Sequence, residues 1–351
     1  MGIWWNGLLY GLGGLACTGV VLLLAFQEKL VYVPIIPGMS KGYPITPARL
    51  RLRYEDVWLE SSDGVRLHSW FIKASPDCRG PTVLFFQENA GNIAYRLEFV
   101  ELMLRRLNCN VFMLSYRGYG ASDGYPSQPG LTMDAEAALE HLLQRTDIDP
   151  KRIFVFGRSL GGAVGSALTR RNPGKVSGLI LENTFTSVLD MAGVMLPPLR
   201  FFVGGPGSGK GPKLLNWLVK SPWRTIDLVT DISEPVLFLS GLKDEMVPPS
   251  HMRRLYVAAR RNSGYRSFVE FPHGMHMDTW MRGGEHYWKS IESFMKEHTA
   301  GETILQNSPT EVDGGPQLVM KEGQLWKPLS HEKGISSNKN PSIISVFCPS
   351  I

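Results

Sequence analysis

Cysteine is scarce in this sequence of 351 residues: there are four, Cys17, Cys78, Cys109 and Cys348. They form no CxxC pair and no Cys/His spacing of a zinc site, and so few cannot build a disulfide framework. Charge is ordinary too. Charged residues make up 20% and the net charge is +5, without the concentrated basic footprint that nucleic-acid binding needs. A weak pull toward anionic membrane surfaces is the better use of that balance. No Asn-x-Ser/Thr acceptor remains once Asn340-Pro341-Ser342 is set aside, which favours a cytosolic face for the main domain. There is no internal repeat. Gly204 to Lys210 imitates a nucleotide-binding loop, but Gly211 stands where such a loop needs Ser or Thr. Pro206 and Pro212 also spoil its strand-loop-helix setting, so it reads as a loop of a cap. No cofactor and no metal is implied.

What is present begins with an uncharged apolar run, residues 7–26. As a helix it would span roughly 30 Å, one bilayer core. A cleaved signal peptide would want basic residues ahead of the run and a small-residue cleavage site. Here none precedes it and Gln27-Glu28-Lys29 follows directly. The expectation is a retained single-pass anchor over residues 1–30, with Trp4, Trp5 and Tyr32 at the interfaces. Lys29, Lys41, Arg49, Arg51 and Arg53 lie after the run. The positive-inside bias then puts the catalytic domain in the cytosol, at the plasma membrane or an endomembrane. Residues 31–53, with four prolines from 33 onward, read as a tether. From 299 the chain turns polar and rich in Pro, Gly and Ser, the composition of a disordered tail.

Between these ends strand-like and helix-like stretches alternate. Val57–Leu59 and Val65–Ile72 read as an antiparallel pair around a Ser-Asp-Gly turn. Thr82–Phe86, Val111–Ser115, Ile153–Phe156, Gly178–Leu181, Val236–Ser240 and Ser267–Phe271 are short runs, the first five apolar enough for strands buried on both faces. Tyr95–Leu107, Leu131–Leu143 and Leu160–Arg171 carry helical patterns. Such alternation predicts an α/β domain, residues 54–298, with a mostly parallel sheet and helices on both faces. Residues 184–230 interrupt it and read as a small cap.

The chemistry centres on Gly157-Arg158-Ser159-Leu160-Gly161. GxSxG alone is common, but here a strand runs into it and a small-residue helix runs out. That strand-turn-helix setting holds a serine in a strained turn with its hydroxyl above the sheet. The same serine could instead serve as a helix N-cap. A nucleophilic serine needs a base, and the base an acid, in the order Ser…Asp…His. Asp244 follows the strand Val236–Ser240, at the edge where open α/β sheets bind ligands; Glu245 and Glu182 are reserves. For the base, His276 and His273 both follow the last strand, and His276, beyond Gly274, is the choice. His68, His141, His251 and His286 read as surface or structural. The oxyanion hole would use the backbone N–H groups of Leu160 and, from the loop after Thr82–Phe86, Asn89. Tyr116-Arg117-Gly118-Tyr119-Gly120 reads as a turn beside the site, with structure alone an equal reading.

The apolar N-terminus leading to QEKLVYVP, then ENAGNI, LSYRGYGAS, GRSLGGAVG, LENTFTS, SGLKDEMVPP and GMHMDTW together resemble one family over roughly residues 8–290. It is the bud-emergence family of membrane-anchored serine hydrolases, similar to alpha/beta hydrolase domain-containing protein 13, and the resemblance is strongest to its plant wavy-growth type. The resemblance implies an α/β-hydrolase fold and the triad Ser159, Asp244 and His276. It also implies acyl-ester or protein-palmitoyl thioester hydrolysis on lipid or acylated-protein substrates, and for plant members a link to root bending and growth. One departure stands out. Many such hydrolases carry His-Gly before the oxyanion residue, where this chain has Gln87-Glu88, and a carboxylate there could weaken the hole. A non-catalytic adaptor at the membrane is the rival expectation. A peptidase on the same fold finds no added propeller domain to support it.

Overall fold

The computed structural model describes residues 2–75, 78–197, 216–259 and 264–299. The strands are β1 (Tyr54–Glu60), β2 (Arg66–Ile72), β3 (Thr82–Phe86), β4 (Asn110–Leu114), β5 (Ile153–Arg158), β6 (Gly178–Glu182), β7 (Val236–Gly241) and β8 (Arg266–Phe271). They pair into one sheet in the order β1-β2-β4-β3-β5-β6-β7-β8. β1, β2 and β4 pair antiparallel, and every pairing from β4 through β3 to β8 is parallel. The sheet is therefore the mostly parallel one expected.

β3 to β7 are buried at every position, which requires cover on both faces. Alternate side chains divide accordingly. Leu84, Phe86, Phe112, Val155, Leu179 and Phe238 share one cluster with α3 (Gln128–Gln144) and α4 (Leu160–Arg171). Val83, Phe85, Phe154, Phe156, Ile180 and Leu237 share the other with α2 (Leu97–Leu107) and α8 (Thr279–Glu297). Phe99 of α2 is a hub of the second face. Its ring lies 5.9 Å from Phe85, 5.4 Å from Phe156, 5.7 Å from Trp280 and 5.7 Å from Trp288. The strand order reverses between β3 and β5. The carboxyl ends of that pair form the crevice where α/β sheets bind ligands.

The N-terminal run is helical: α1 spans Gly2–Val31. The expected bilayer span is not shown, however. Among the described residues no helix is long and apolar enough to cross a membrane, and many side chains along α1 lie outside the described set. The stretch read as a tether is packed rather than free. Tyr32 is buried, Pro47–Leu50 makes a 3₁₀ turn, and Asn92 Nδ2 donates to the carbonyls of Lys41 and Gly42. Tyr43, Ile45, Leu50 and Leu52 pack against the second face. Of the cap, the described parts are α5 (Val188–Met195), a turn at Asn216–Leu218 and α6 (Thr225–Leu228). The nucleotide-loop imitation at 204–210 and the tail from 300 lie outside the described residues. α7 (Ser250–Ala258) and α8 have no counterpart in the sequence reading.

Deleting the Phe99 ring should cost about 3–5 kcal/mol, the usual range for a buried aromatic. Urea unfolding of Phe99→Ala against wild type measures it; a loss under about 1 kcal/mol would deny the ring its hub role.

Candidate active site

Ser159 joins β5 to α4 with φ 54° and ψ −119°, backbone that side-chain-bearing residues adopt only under constraint. The constraint is packing around the flanking glycines. A Cβ on Gly157 would lie 2.2 Å from the Gly161 carbonyl oxygen, and one on Gly161 would lie 2.0 Å from that of Phe86. The second contact seats the start of α4 against the end of β3. Ser159 N–H donates to Glu182 O at 3.0 Å, tying the turn to β6. Its side chain makes no capping hydrogen bond, so capping α4 is not its task. The hydroxyl stands at a helix N-terminus, where the dipole favours developing negative charge.

Asp244 and His276 come together. Asp244 Oδ2 is 2.8 Å from His276 Nδ1, and both side chains are buried. A carboxylate only accepts, so Nδ1 carries the proton and Nε2 is left as the basic nitrogen. Asp244 Oδ1 accepts from the backbone N–H of Met246 at 2.9 Å and Val247 at 2.7 Å, which fixes the carboxylate. Glu245, a reserve acid, accepts from His276 N–H through Oε2 at 3.1 Å. His273 is exposed. Among the described residues Ser159 Oγ makes no hydrogen bond to His276, a looseness common in sites without substrate. Among the other histidines, His68 is buried between Tyr43 and Asp56. His251 is buried against Thr186, and burial pulls its pKa down. Both are structural.

Sequence reasoning missed Asn183, which holds the histidine loop. It follows β6 with φ 46°. Its Nδ2 donates to the carbonyls of Met275 and His276, both at 3.1 Å, and to Thr279 Oγ1 at 2.9 Å. Its Oδ1 accepts from Gly241 N–H at 2.8 Å. One amide thus locks the end of β6 to the end of β7 and to the His276 loop. Its signal was a lone Asn after a strand, in LENTFTS.

The Gln87-Glu88 departure lies beside the loop expected to carry the second oxyanion donor. Glu88 is buried, with Oε2 taken by Arg96 Nε at 2.6 Å and Oε1 by Arg158 NH1 at 2.9 Å. Arg158 also grips Glu182 Oε2 at 2.9 Å, which Tyr287 OH contacts at 2.8 Å. Two cations face two anions in one cluster, so the Glu88 charge is neutralised where it stands. Arg96 and Arg158 hold the Glu88 carboxyl at about 2 against the upward push of burial. Glu182, the other reserve acid, is committed to this cluster. Tyr116 OH donates to Gln87 O at 3.0 Å and Tyr119 OH to Asn89 O at 2.8 Å, so the YRGYG turn buttresses the loop. Leu160 N–H, at the first position of α4, has no helical acceptor. The Asn89 N–H donates no hydrogen bond among the described residues. No cluster of three or more His, Cys, Asp or Glu that could hold a metal occurs among the described residues.

Residues 81–203 match the model of the alpha/beta hydrolase fold. The chain is 67% identical to alpha/beta hydrolase domain-containing protein WAV2 of Arabidopsis thaliana over 293 residues, 84% of this chain and 95% of that protein. It is 38% identical to Protein bem46 of Schizosaccharomyces pombe over 293 residues, 82% and 92% of the two chains. The chain belongs to the bud-emergence-type α/β-hydrolase family. It is also 35% identical over 291 residues (82% of this chain, 95% of that one) to the Saccharomyces cerevisiae membrane protein YNL320W. Among solved structures, the Pyrococcus furiosus esterase Pf2001 superposes with a TM-score of 0.59 at 20% identity, over 77% of this chain and 98% of that one. At that identity it shows the shared fold.

The Glu88 carboxyl makes a signed prediction. The folded state holds it at about 2 against 4.5 for the free group. Its contribution, on the order of 3 kcal/mol, is complete above about pH 5 and drains away as pH falls toward 2. In urea titrations between pH 6 and pH 3, Glu88→Gln should lose stability less steeply than wild type; parallel slopes would contradict it.

Proposed function

We propose that this chain is a serine hydrolase that cleaves acyl esters or thioesters, with Ser159 as nucleophile, His276 as base and Asp244 as its orienting acid. The observation that carries the reading is the buried 2.8 Å Asp244–His276 pair, aligned by two backbone donors. It lies in the domain where Ser159 is held in strained backbone at the head of α4. His276 Nε2 takes the proton as Ser159 Oγ attacks the acyl carbonyl carbon. The N–H groups of Leu160 and Asn89 receive the oxyanion. His276 returns the proton to the leaving alkoxide or thiolate, which departs and leaves Ser159 acylated. Water, deprotonated by His276, then releases the acid and restores the serine.

Long acyl groups, including S-palmitoyl cysteine, are the substrates that suit membrane association. Support for that association is the apolar composition of residues 7–26 and a relative named as a membrane protein; a single-pass anchor with the catalytic domain in the cytosol is the arrangement proposed. The adaptor reading draws on Gln87-Glu88, and the pairing of Glu88 with Arg96 and Arg158 supports the enzyme reading over it.

A fluorophosphonate probe should label wild type and not Ser159→Ala; absence of Ser159-dependent labelling would sink the enzyme reading. With acyl thioesters, lipid esters and short esters as substrates, Asp244→Asn should lower kcat by about 10⁴-fold, because the amide favours the wrong imidazole tautomer. A fall below tenfold would remove Asp244 from that role.

A further inference from the structure

The loop that carries Asn89 is held by a segment 58 residues before it. The last carbonyls of any helix lack intrahelical donors. At the end of α1, Asn89 Nδ2 fills that need for Val31, donating to its carbonyl at 3.1 Å. Val33 then pairs with Ala90 in a parallel bridge. Val33 N–H donates to Asn89 O at 3.0 Å, and Gly91 N–H donates to Val33 O at 2.9 Å. Asn89 is thereby fixed at its side chain and at its carbonyl, where Tyr119 OH adds a second donor at 2.8 Å. Its backbone N–H is left to point elsewhere.

The same segment grips the chain returning from the cap. Gln27 Nε2 donates to Leu218 O at 3.2 Å and Gln27 Oε1 accepts from Lys220 N–H at 2.8 Å. Ser221 Oγ lies 3.2 Å from Glu28 Oε1, and Trp223 Nε1 donates to Tyr32 OH at 2.8 Å. Burial raises the Tyr32 pKa to about 12, so its hydroxyl stays neutral and able to accept that bond.

We propose that residues 27–33, the end of α1 and its first bridge, are a positioning element of the acyl site that aims the Asn89 N–H at the oxyanion. This rests on the hydrolase reading above. The segment touches no reacting atom; it acts through Asn89. An oxyanion donor works by standing in place before charge develops. A shift of about 1 Å can cost up to about 100-fold in rate. The Asn89 side chain is therefore a fastening and its backbone the working group. Attachment at one end of α1 is thereby felt at the catalytic loop.

The test uses the full chain and p-nitrophenyl acyl esters. Asn89→Asp keeps the size and the backbone N–H while removing the donor to Val31. Val33→Pro removes the donor to Asn89 O. Each should lower kcat about 10–100-fold with KM within about twofold. The midpoint of Asn89→Asp should stay within a few degrees of wild type, as for loss of about 1 kcal/mol. If Asn89→Asp keeps kcat within about twofold of wild type, the proposal is overturned. It is equally overturned if kcat, KM and thermal midpoint all deteriorate together, the mark of general loosening. Wild type without Ser159-dependent turnover would defeat the hydrolase reading itself, and this one with it, before any variant is compared.

Discussion

The buried ion cluster of Arg96, Glu88, Arg158 and Glu182 is the constraint on which the site depends. Each of these ions is out of water, which for a lone charge costs several kcal/mol. They persist because every cation meets a carboxylate at 2.6 to 2.9 Å and the formal charges cancel. Arg158 also lies over the Phe99 ring at 4.5 Å, so the ion cluster and the aromatic hub of one core face are the same object. Arg158 ends β5, Glu182 ends β6, and Glu88 lies two residues past β3. The cluster therefore sets how the carboxyl ends of three parallel strands stand relative to one another. Removing one member would strand its partner in a dry interior, the costliest of polar lesions.

A second fastening completes the edge. Asn183 continues from β6 and reaches Gly241 at the end of β7 and the carbonyls of the His276 loop. Ser159 N–H, bonded to Glu182 O, belongs to the same line. Ser159, Asp244 and His276 thus follow the carboxyl ends of β5, β7 and β8, and the polar contacts of Glu182 and Asn183 at the end of β6 tie those ends together. Apolar packing resists volume change but has little direction, whereas hydrogen bonds to fixed carbonyls set angles.

Much of this was legible in the sequence, for physical reasons. Strands buried on both faces announce themselves as short apolar runs, and Thr82–Phe86 and Leu160–Arg171 fall where the pattern put them. β1 is longer than read because its polar residues face solvent while its backbone still pairs with β2. α8 escaped notice because Gly283-Gly284 near its start argues against a helix, although Trp280, Tyr287, Trp288, Ile291 and Phe294 keep a helical apolar spacing across the kink at Gly284, φ 51°. Asp244 and His276 could be picked because each follows a strand, while the contact between them could not be read from spacing. The ion cluster was invisible for a related reason. Its partners lie 70 and 24 residues apart, and a charged residue at a strand end looks like a surface residue until the pairing is known. Glu182 illustrates the point: the sequence offers it as a spare acid, whereas burial with Arg158 and Tyr287 commits it to structure. The segment read as a tether was misjudged because prolines suggest extended chain, and nothing in them tells that Val33 bridges Ala90.

The departure at Gln87-Glu88 takes on a different meaning in this light. Glu88 immediately precedes Asn89, and Arg158 immediately precedes Ser159. The ion pair between them, at 2.9 Å, is therefore a spacer between the two segments whose N–H groups would share an oxyanion. The missing Cβ of Gly161 allows the close approach from the other side, at Phe86 O. A His-Gly pair in this position would supply flexibility and a neutral ring. Here a carboxylate supplies a charged strut instead, and a carboxylate can occupy such a place only if two guanidiniums neutralise it. Arg96, from the turn after the loop, and Arg158, from the end of β5, meet that condition. The unusual dipeptide and the arginine inside GxSxG are thus one feature, and substituting either alone would leave an unpaired charge beside Ser159.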